Sequence, residues 1–176
     1  KLGYSRNKRI GIAWREGVPS VMNQKQSVAL NKLLALHQPN LDFICLQQEV
    51  SFEEKKELDQ YGIVYPSLEL STMAGTVALI ACVDLVIATD TLIAHLAAAM
   101  GKEVWILLSL SAEWRWFLQR EDSPWYPNAK LFRQEILGDW NIPLARIKNA
   151  LRALRHVEHK MVVDDLMSQA QMQLQN

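Results

Sequence analysis

The chain has 176 residues, of which 49% are apolar and 22% are charged, and its 19 basic residues equal its 19 acidic residues. This composition is typical of one globular domain and excludes a disordered chain. Because the formal net charge is zero, no overall field attracts a nucleic acid or an anionic membrane, and any anion must be bound by local geometry.

The cysteines and the apolar stretches indicate the cellular compartment in which the protein is expected. Cys45 and Cys82 lie in apolar runs without metal-ligand spacing, which predicts two buried free thiols in a reducing compartment. The most apolar stretch, 76–100, contains Asp84, Asp90 and His95, so no membrane span is predicted there. Since no signal-peptide pattern is found either, the expected location is the cytoplasm.

Six short apolar runs predict β-strands. They are "RIGIAW" (9–14), "LDFICLQ" (41–47), "GIVYPS" (62–67), "LVIAT" (85–89), "EVWILLS" (103–109) and, more weakly, "KLFRQ" (130–134). Most of these runs are continuously apolar rather than alternating, as expected for strands covered on both faces.

Helix-like segments alternate with these runs. They are 27–39 from a capping Ser27, 51–62 from a capping Ser51 to Gly62, 71–83, 90–101 and 139–155. Alternation of this kind predicts an α/β fold with a three-layer, doubly wound, mostly parallel sheet. We expect one Rossmann-like domain over 1–156. A C-terminal tail over 157–176 is expected to form one more helix, lying either on this domain or on a neighbouring one.

The segment "DTLIAHLAAAMGK" (90–102) is the first candidate site, because ligands of open α/β sheets bind beyond the carboxyl ends of the strands. Asp90 is a suitable N-cap for a helix that Thr91 begins. Free N–H groups at that helix start, with Thr91 and His95, could hold a phosphate. The alternative is a capped core helix in which His95 is satisfied internally. No GxGxxG or GxxxxGK[ST] motif is present.

Four segments together carry a family resemblance. "DTLIAHLAAAMGKEVWILL" (90–108), "EWRWFLQREDSPWYPNAKLFRQ" (113–134), "IGIAWRE" (10–16) and "ICLQQE" (44–49) occur in this order. They resemble bacterial heptosyltransferase-like glycosyltransferases, and more specifically the glycosyltransferase domains that follow tetratricopeptide repeats. The resemblance extends over roughly 9–155.

The resemblance implies the C-terminal, donor-binding half of a two-domain GT-B enzyme, with the N-terminal acceptor domain absent from this chain. It implies a metal-independent, inverting transferase that uses a UDP, ADP or GDP sugar and needs no cofactor. The acceptor, a glycan or a protein, and the general base would come with the other domain. The isolated domain would then be inactive in transfer, and the purified fragment could dimerise.

The resemblance also implies roles for individual residues. Asp90, Thr91, Leu92, His95 and Arg15 would surround the donor diphosphate and sugar. Gln47 and Glu49 would lie beside the nucleoside. Trp114, Arg115 and Trp116 would form a wall of the pocket, or would simply anchor their loop by packing. Arg15 could instead pair with Glu16 or Glu49 at the surface.

Two positions depart from the family pattern that the resemblance supplies. Leu92 stands where relatives commonly have Gly or Ser, and Gln48 stands where many have Lys. These departures keep a second hypothesis open, a catalytically degenerate nucleotide-binding or protein-interaction module beside helical repeats. A third hypothesis is half of a sugar-nucleotide 2-epimerase, which shares the two-domain architecture.

Overall fold

The computed structural model describes residues 7–17 and 26–154. The strands are β1 (Lys8–Ala13), β2 (Leu41–Cys45), β3 (Leu85–Thr89), β4 (Glu103–Leu108) and β5 (Ala129–Arg133). The helices are α1 (Leu30–Leu34), α2 (Phe52–Gln60), α3 (Ser67–Leu70), α4 (Met73–Ala81), α5 (Leu92–Ala99), a 3-10 turn (Trp114–Trp116) and α6 over 141–154.

The five strands form one parallel sheet in the order β2-β1-β3-β4-β5. Alternate residues of each strand enter two separate cores. In β3, for example, Leu85 and Ile87 pack with α1, α2 and α6, whereas Val86 and Ala88 pack with α4 and α5. The predicted three-layer α/β sheet is confirmed, and its continuous apolar runs are explained by burial on both faces.

The order of the strands fixes where a ligand can bind. The chain steps from β1 outward to β2 and then crosses back to place β3 on the other side of β1. The carboxyl ends of β1 and β3 therefore border the point at which the topology reverses, the usual binding crevice of such sheets.

Two predicted elements are shorter or differently built than expected. The run 62–67 is not a strand, because only Val64 forms a bridge, with Ile44, before Pro66 ends the extended segment. Of the helix predicted over 27–39, the structure forms only the five residues of α1. Ser27 does not cap it, since Val28 N–H donates to the Trp14 carbonyl at 2.9 Å and keeps that stretch extended.

The helix predicted over 71–83 is observed as α4, with Thr72 as its N-cap, and the sequence did not predict the short helix α3 that precedes it. Cys45 is buried as predicted, and burial raises the pKa of its thiol to about 12, but Cys82 is exposed at the end of α4.

The expected tail at 157–176 lies outside the described residues. No helix in the described ranges is long and apolar enough to cross a membrane.

Gly75 allows α3 and α4 to pack closely. A Cβ added there would lie 2.8 Å from the carbonyl carbon of Glu69 in α3. Since that neighbour is backbone, it cannot rotate away as a side chain could. We predict that Gly75→Ala lowers the free energy of unfolding by about 1–3 kcal/mol, measured by urea denaturation.

The exposed Met73 of the same helix turn provides the control. Met73→Ala should change the free energy of unfolding by less than about 0.5 kcal/mol. Equal stability of Gly75→Ala and the wild type would show that α3 can move away from α4 at no cost.

Candidate functional site

A small depression of about 70 Å³ opens at the carboxyl ends of β1, β2 and β3. Its lining comes from three chain segments, Arg15–Glu16–Gly17, Gln47–Gln48–Glu49 and Thr91–Leu92–Ile93. The structure thus brings together five of the residues that the sequence predicts for the donor site. These are Arg15, Gln47, Glu49, Thr91 and Leu92.

Gln47 holds the ends of β1 and β2 together. Its side-chain oxygen accepts hydrogen bonds from the backbone N–H groups of Trp14 at 3.1 Å and Arg15 at 3.2 Å. The residue is buried. Because this oxygen satisfies two backbone donors that β1 leaves unpaired, Gln47 fixes the position from which Arg15 leaves the strand.

Arg15 is paired with Glu54, a residue that the sequence did not indicate as part of the site. Its side chain is only 5% exposed, and both terminal nitrogens contact the Glu54 carboxylate, one of them at 2.9 Å. The guanidinium also donates to the carbonyls of Gly17 at 3.2 Å and Glu49 at 2.7 Å. Neither side-chain partner that the sequence suggested, Glu16 or Glu49, is the one observed.

Glu54 is held by more than one donor, because it also closes the capping box of α2. Ser51 N–H donates to its carboxylate at 2.9 Å, and Trp14 Nε1 donates at 2.9 Å. Burial by itself would raise the pKa of Glu54, but the hydrogen bonds from Arg15, Ser51 and Trp14 outweigh it, and the pKa is lowered. The Glu54 carboxyl is therefore ionised at neutral pH.

The start of α5 lies beside this pair. Thr91, and not Asp90, is the N-cap of α5, and its side chain makes no capping bond. Thr91 is 5% exposed, and its hydroxyl is buried without a hydrogen-bond partner in the described structure. The Leu92 N–H donates to a carboxylate oxygen of Glu16 at 3.4 Å. The Leu92 side chain is 45% exposed and lies at the rim.

Asp90 binds a different set of groups, which explains why the predicted cap is wrong. Its carboxylate accepts from Trp116 Nε1 at 2.7 Å and contacts His95 Nε2 at 3.1 Å. His95 Nδ1 lies 3.0 Å from the Tyr126 hydroxyl, and its ring stacks on Trp116 with centroids 5.3 Å apart. Asp90 and His95 therefore anchor the loop after β4 to α5, and neither lines the depression.

The Trp114–Trp116 turn is held in place from several sides. Arg115 contacts His95 Nε2 at 3.4 Å, and its carbonyl accepts from Trp125 Nε1 at 3.0 Å. Arg133 donates to the carbonyl of Trp116 at 3.1 Å. Trp116 is buried, as a packing role requires, whereas Trp114 is 74% exposed. None of the three residues of the turn lines the depression.

The Arg15–Glu54 pair generates a stability prediction. Glu54→Ala would leave the Arg15 guanidinium buried without its counter-ion, and we expect a loss of about 3 kcal/mol in the free energy of unfolding. Glu53→Ala removes an exposed carboxylate from the same helix turn and should cost less than about 0.5 kcal/mol. A small, equal loss in both variants would mean that Arg15 finds another partner.

The Asp90 cluster generates a pH prediction. Burial would raise the pKa of Asp90, but hydrogen bonds from His95 and Trp116 outweigh it and hold the pKa below its ordinary value. A carboxyl whose pKa is depressed on folding stabilises the fold above its unfolded pKa and loses that contribution as the pH falls through the folded pKa. We therefore expect Asp90→Asn to destabilise the protein at pH 7 and to differ less from the wild type at pH 3.

Denaturant midpoints of both proteins between pH 7 and pH 3 measure this effect. A stability difference that stays constant over that range would show that the ionisation of Asp90 does not contribute.

No group of three or more His, Cys, Asp or Glu residues in 7–17 and 26–154 is arranged to hold a metal ion.

Comparison with known proteins identifies a family whose sequence model this chain matches. The sequence model of glycosyltransferase family 9 (heptosyltransferase) matches residues 29–137, a range that includes the start of α5 and the Trp114–Trp116 turn. Protein FlbA of Caulobacter vibrioides is 33% identical in an alignment of 125 residues that covers 66% of this chain and 20% of FlbA.

The chain thus spans about a fifth of the length of that relative. No solved structure matches it. The family match covers more than half of the 176 residues and lies on the same α/β sheet that carries the depression. The chain therefore belongs to glycosyltransferase family 9.

Proposed function

We propose that this chain is the donor-binding domain of a metal-independent, inverting glycosyltransferase that uses a nucleotide-diphosphate sugar. Membership of glycosyltransferase family 9 supports transfer chemistry. The proposed GT-B architecture would place the acceptor and the general base on a second domain. The division into a domain over 1–156 and a tail over 157–176 stays part of this proposal.

One observation supports the donor site most directly: α5 begins at the topological switch point with the buried Thr91 hydroxyl, which has no hydrogen-bond partner among the described residues. The first N–H groups of a helix have no acceptor within the helix, and the helix dipole favours negative charge there. Thr91 Oγ1 is buried beside these groups and lacks a hydrogen bond in the described structure. A phosphate oxygen at this place would accept from both kinds of donor.

The chemistry follows from the charge that develops on the leaving group. In an inverting transfer, the acceptor oxygen forms a bond to the anomeric carbon while the bond from that carbon to the distal phosphate breaks. The acceptor proton passes to the general base, and the nucleoside diphosphate leaves with added negative charge. Donors fixed before the reaction, such as the N–H groups of α5 and the Thr91 hydroxyl, stabilise that charge without reorganisation.

A second candidate is the degenerate binding module, and one observation favours it. Among the described residues that line the depression, Arg15 is the only basic one, and its charge is balanced by Glu54. Glu16 and Glu49 add negative charge at the same place. A donor diphosphate would then depend on the helix terminus rather than on cationic side chains, so weak binding is expected.

Calorimetric titration with UDP, ADP and GDP tests the proposal. We predict that one of the three binds, that EDTA leaves its affinity unchanged, and that Thr91→Val weakens binding about tenfold, since a hydrogen bond to a charged group contributes about 1.5–3 kcal/mol. Valine keeps the branched shape and extended backbone of Thr91 but removes the hydroxyl.

Thr91→Ser, which keeps the hydroxyl, is the matched control and should bind like the wild type. The structure also shows why Arg15→Ala is a poor probe: it would leave Glu54 unpaired and destabilise the site as a whole. Absence of binding by all three nucleotides at millimolar concentration would contradict the proposal and favour the degenerate module.

We expect no sugar transfer by the 176-residue chain alone.

A further inference from the structure

The connection from β4 to β5 and the turn after β5 expose many apolar side chains at one edge of the sheet. Seven of the fourteen large apolar side chains that are exposed in 7–17 and 26–154 lie within residues 110–137. Two of them are indoles, Trp114 at 74% and Trp125 at 55% exposure. Single exposed apolar residues are ordinary, whereas a concentration of them marks a contact surface. This surface follows the carboxyl ends of β4 and β5, the same edge of the sheet that carries the depression.

The two indoles belong to one part of this surface, and one of them has a fixed orientation. Trp125 Nε1 donates to the carbonyl of Arg115, the residue after Trp114, at 3.0 Å. An indole has no other polar group, so this hydrogen bond satisfies the side chain completely. The exposed part of the Trp125 ring is therefore an apolar face that a ligand can cover without leaving a donor unpaired.

The backbone that carries the indoles is held in one conformation. Arg133, at the end of β5, donates to the carbonyls of Trp116 at 3.1 Å and Phe117 at 2.6 Å. Phe117 and Gln119 have φ values of +51° and +58°, and they are the only non-glycine residues of the described ranges with a positive φ. Such conformations cost free energy and recur in loops that bind ligands. A loop that is already ordered loses little conformational entropy on binding.

The carboxylates around the indoles are each balanced by an arginine. The pairs are Arg120 with Asp122, Arg115 with Glu113, and Arg146 with Glu121. All six side chains remain more than a third exposed, so their polar atoms can still form hydrogen bonds with a ligand. An uncharged ligand with many hydroxyl groups suits this combination of apolar rings and balanced charges better than an ion does.

Trp116 connects this surface to the proposed donor site. Its indole donates to the Asp90 carboxylate at 2.7 Å, and Asp90 directly precedes Thr91, the N-cap of α5. Trp114 is two residues from Trp116, so the exposed indole and the phosphate-binding helix start are linked through a single hydrogen bond. A group bound on the indoles would therefore lie on the same side of the molecule as a sugar held through its diphosphate at α5.

We propose that Trp114 and Trp125 bind a pyranose ring of an uncharged glycan that accepts the transferred sugar. The C–H groups on one face of a pyranose carry partial positive charge and pack on the electron-rich face of an indole. Hydroxyl groups at the edge of the pyranose can bond to the exposed Arg120–Asp122 pair. Because the chain belongs to a glycosyltransferase family, a sugar is a ligand that its chemistry requires.

This inference rests on the proposed function, because it concerns the acceptor of the same transfer. It adds a contact on this domain to those that the proposed second domain would make. The donor site and the indole surface use different residues, so each can be tested without the other.

Titration of the 176-residue chain with uncharged tetrasaccharides of glucose, galactose, mannose and N-acetylglucosamine tests the inference without any nucleotide. We expect at least one of the four to bind and to move the indole N–H resonances of Trp114 and Trp125. The resonance of Trp140, which is buried in the core and donates to the Ser27 carbonyl, should stay in place.

Two substitutions of Trp114 distinguish stacking on a ring from general apolar contact. Trp114→Phe keeps an aromatic face and should bind the same tetrasaccharide within about twofold of the wild type. Trp114→Leu keeps only the apolar character and should bind it at least about fivefold more weakly. Leu68→Ala removes an exposed apolar side chain from α3 and should leave the affinity unchanged.

Three results would overturn the inference. They are absence of binding by all four tetrasaccharides, equal affinities of Trp114→Phe and Trp114→Leu, and self-association of the chain that is lost in Trp114→Ala. The last result, measured by analytical ultracentrifugation, would assign the surface to a second copy of the chain. Trp114→Leu should bind UDP, ADP or GDP like the wild type, so a failure of the glycan site would leave the proposed donor site intact. Lack of binding by all three nucleotides would contradict the donor site itself.

Discussion

The buried ion pair between Arg15 and Glu54 is the interaction on which the geometry of the site depends. Arg15 leaves the central strand β1, and Glu54 belongs to the first turn of α2. By donating also to the carbonyl of Glu49, the guanidinium fixes the turn that connects β2 to α2. One charged group thus determines how two of the three lining segments of the depression lie relative to each other.

The third lining segment, at the start of α5, is positioned by a separate set of contacts. Asp90 binds His95 within the helix and Trp116 in the loop after β4, so the helix start is fixed to that loop. The two sets of contacts share no side chain, and the depression lies between the two walls that they hold. The hydrogen bond from the Leu92 N–H to Glu16 already joins these walls, and a ligand that contacts both Thr91 and the segment after β1 would add a second connection.

The sheet could be predicted from the sequence because each strand is a continuous apolar run that two layers of helices cover. The run 62–67 has the same composition, and its failure to form a strand reflects Pro66, which ends the extended segment after a single bridge. The boundaries of helix 27–39 were wrong for a tertiary reason, since the backbone at Val28 pairs with Trp14.

The candidate site could be located from the sequence, but its contacts could not. Asp90 and Thr91 are both good N-cap residues, and the choice between them depends on Trp116, which is 26 residues away. Ser51 and Glu54 formed a capping pattern that was complete without a further partner, so nothing in the sequence indicated that Glu54 also binds Arg15, 39 residues away.

The double use of Glu54 also has a consequence for motion. The first turn of a helix usually frays, with local opening that costs little free energy. In α2, such an opening would separate Glu54 from Ser51, Arg15 and Trp14 together, exposing a guanidinium and an indole N–H that are otherwise satisfied. The amide hydrogens of Ser51 and Glu54, which both donate within this network, should therefore exchange more slowly than those of an ordinary helix terminus, and the wall of the site that the network supports should open rarely.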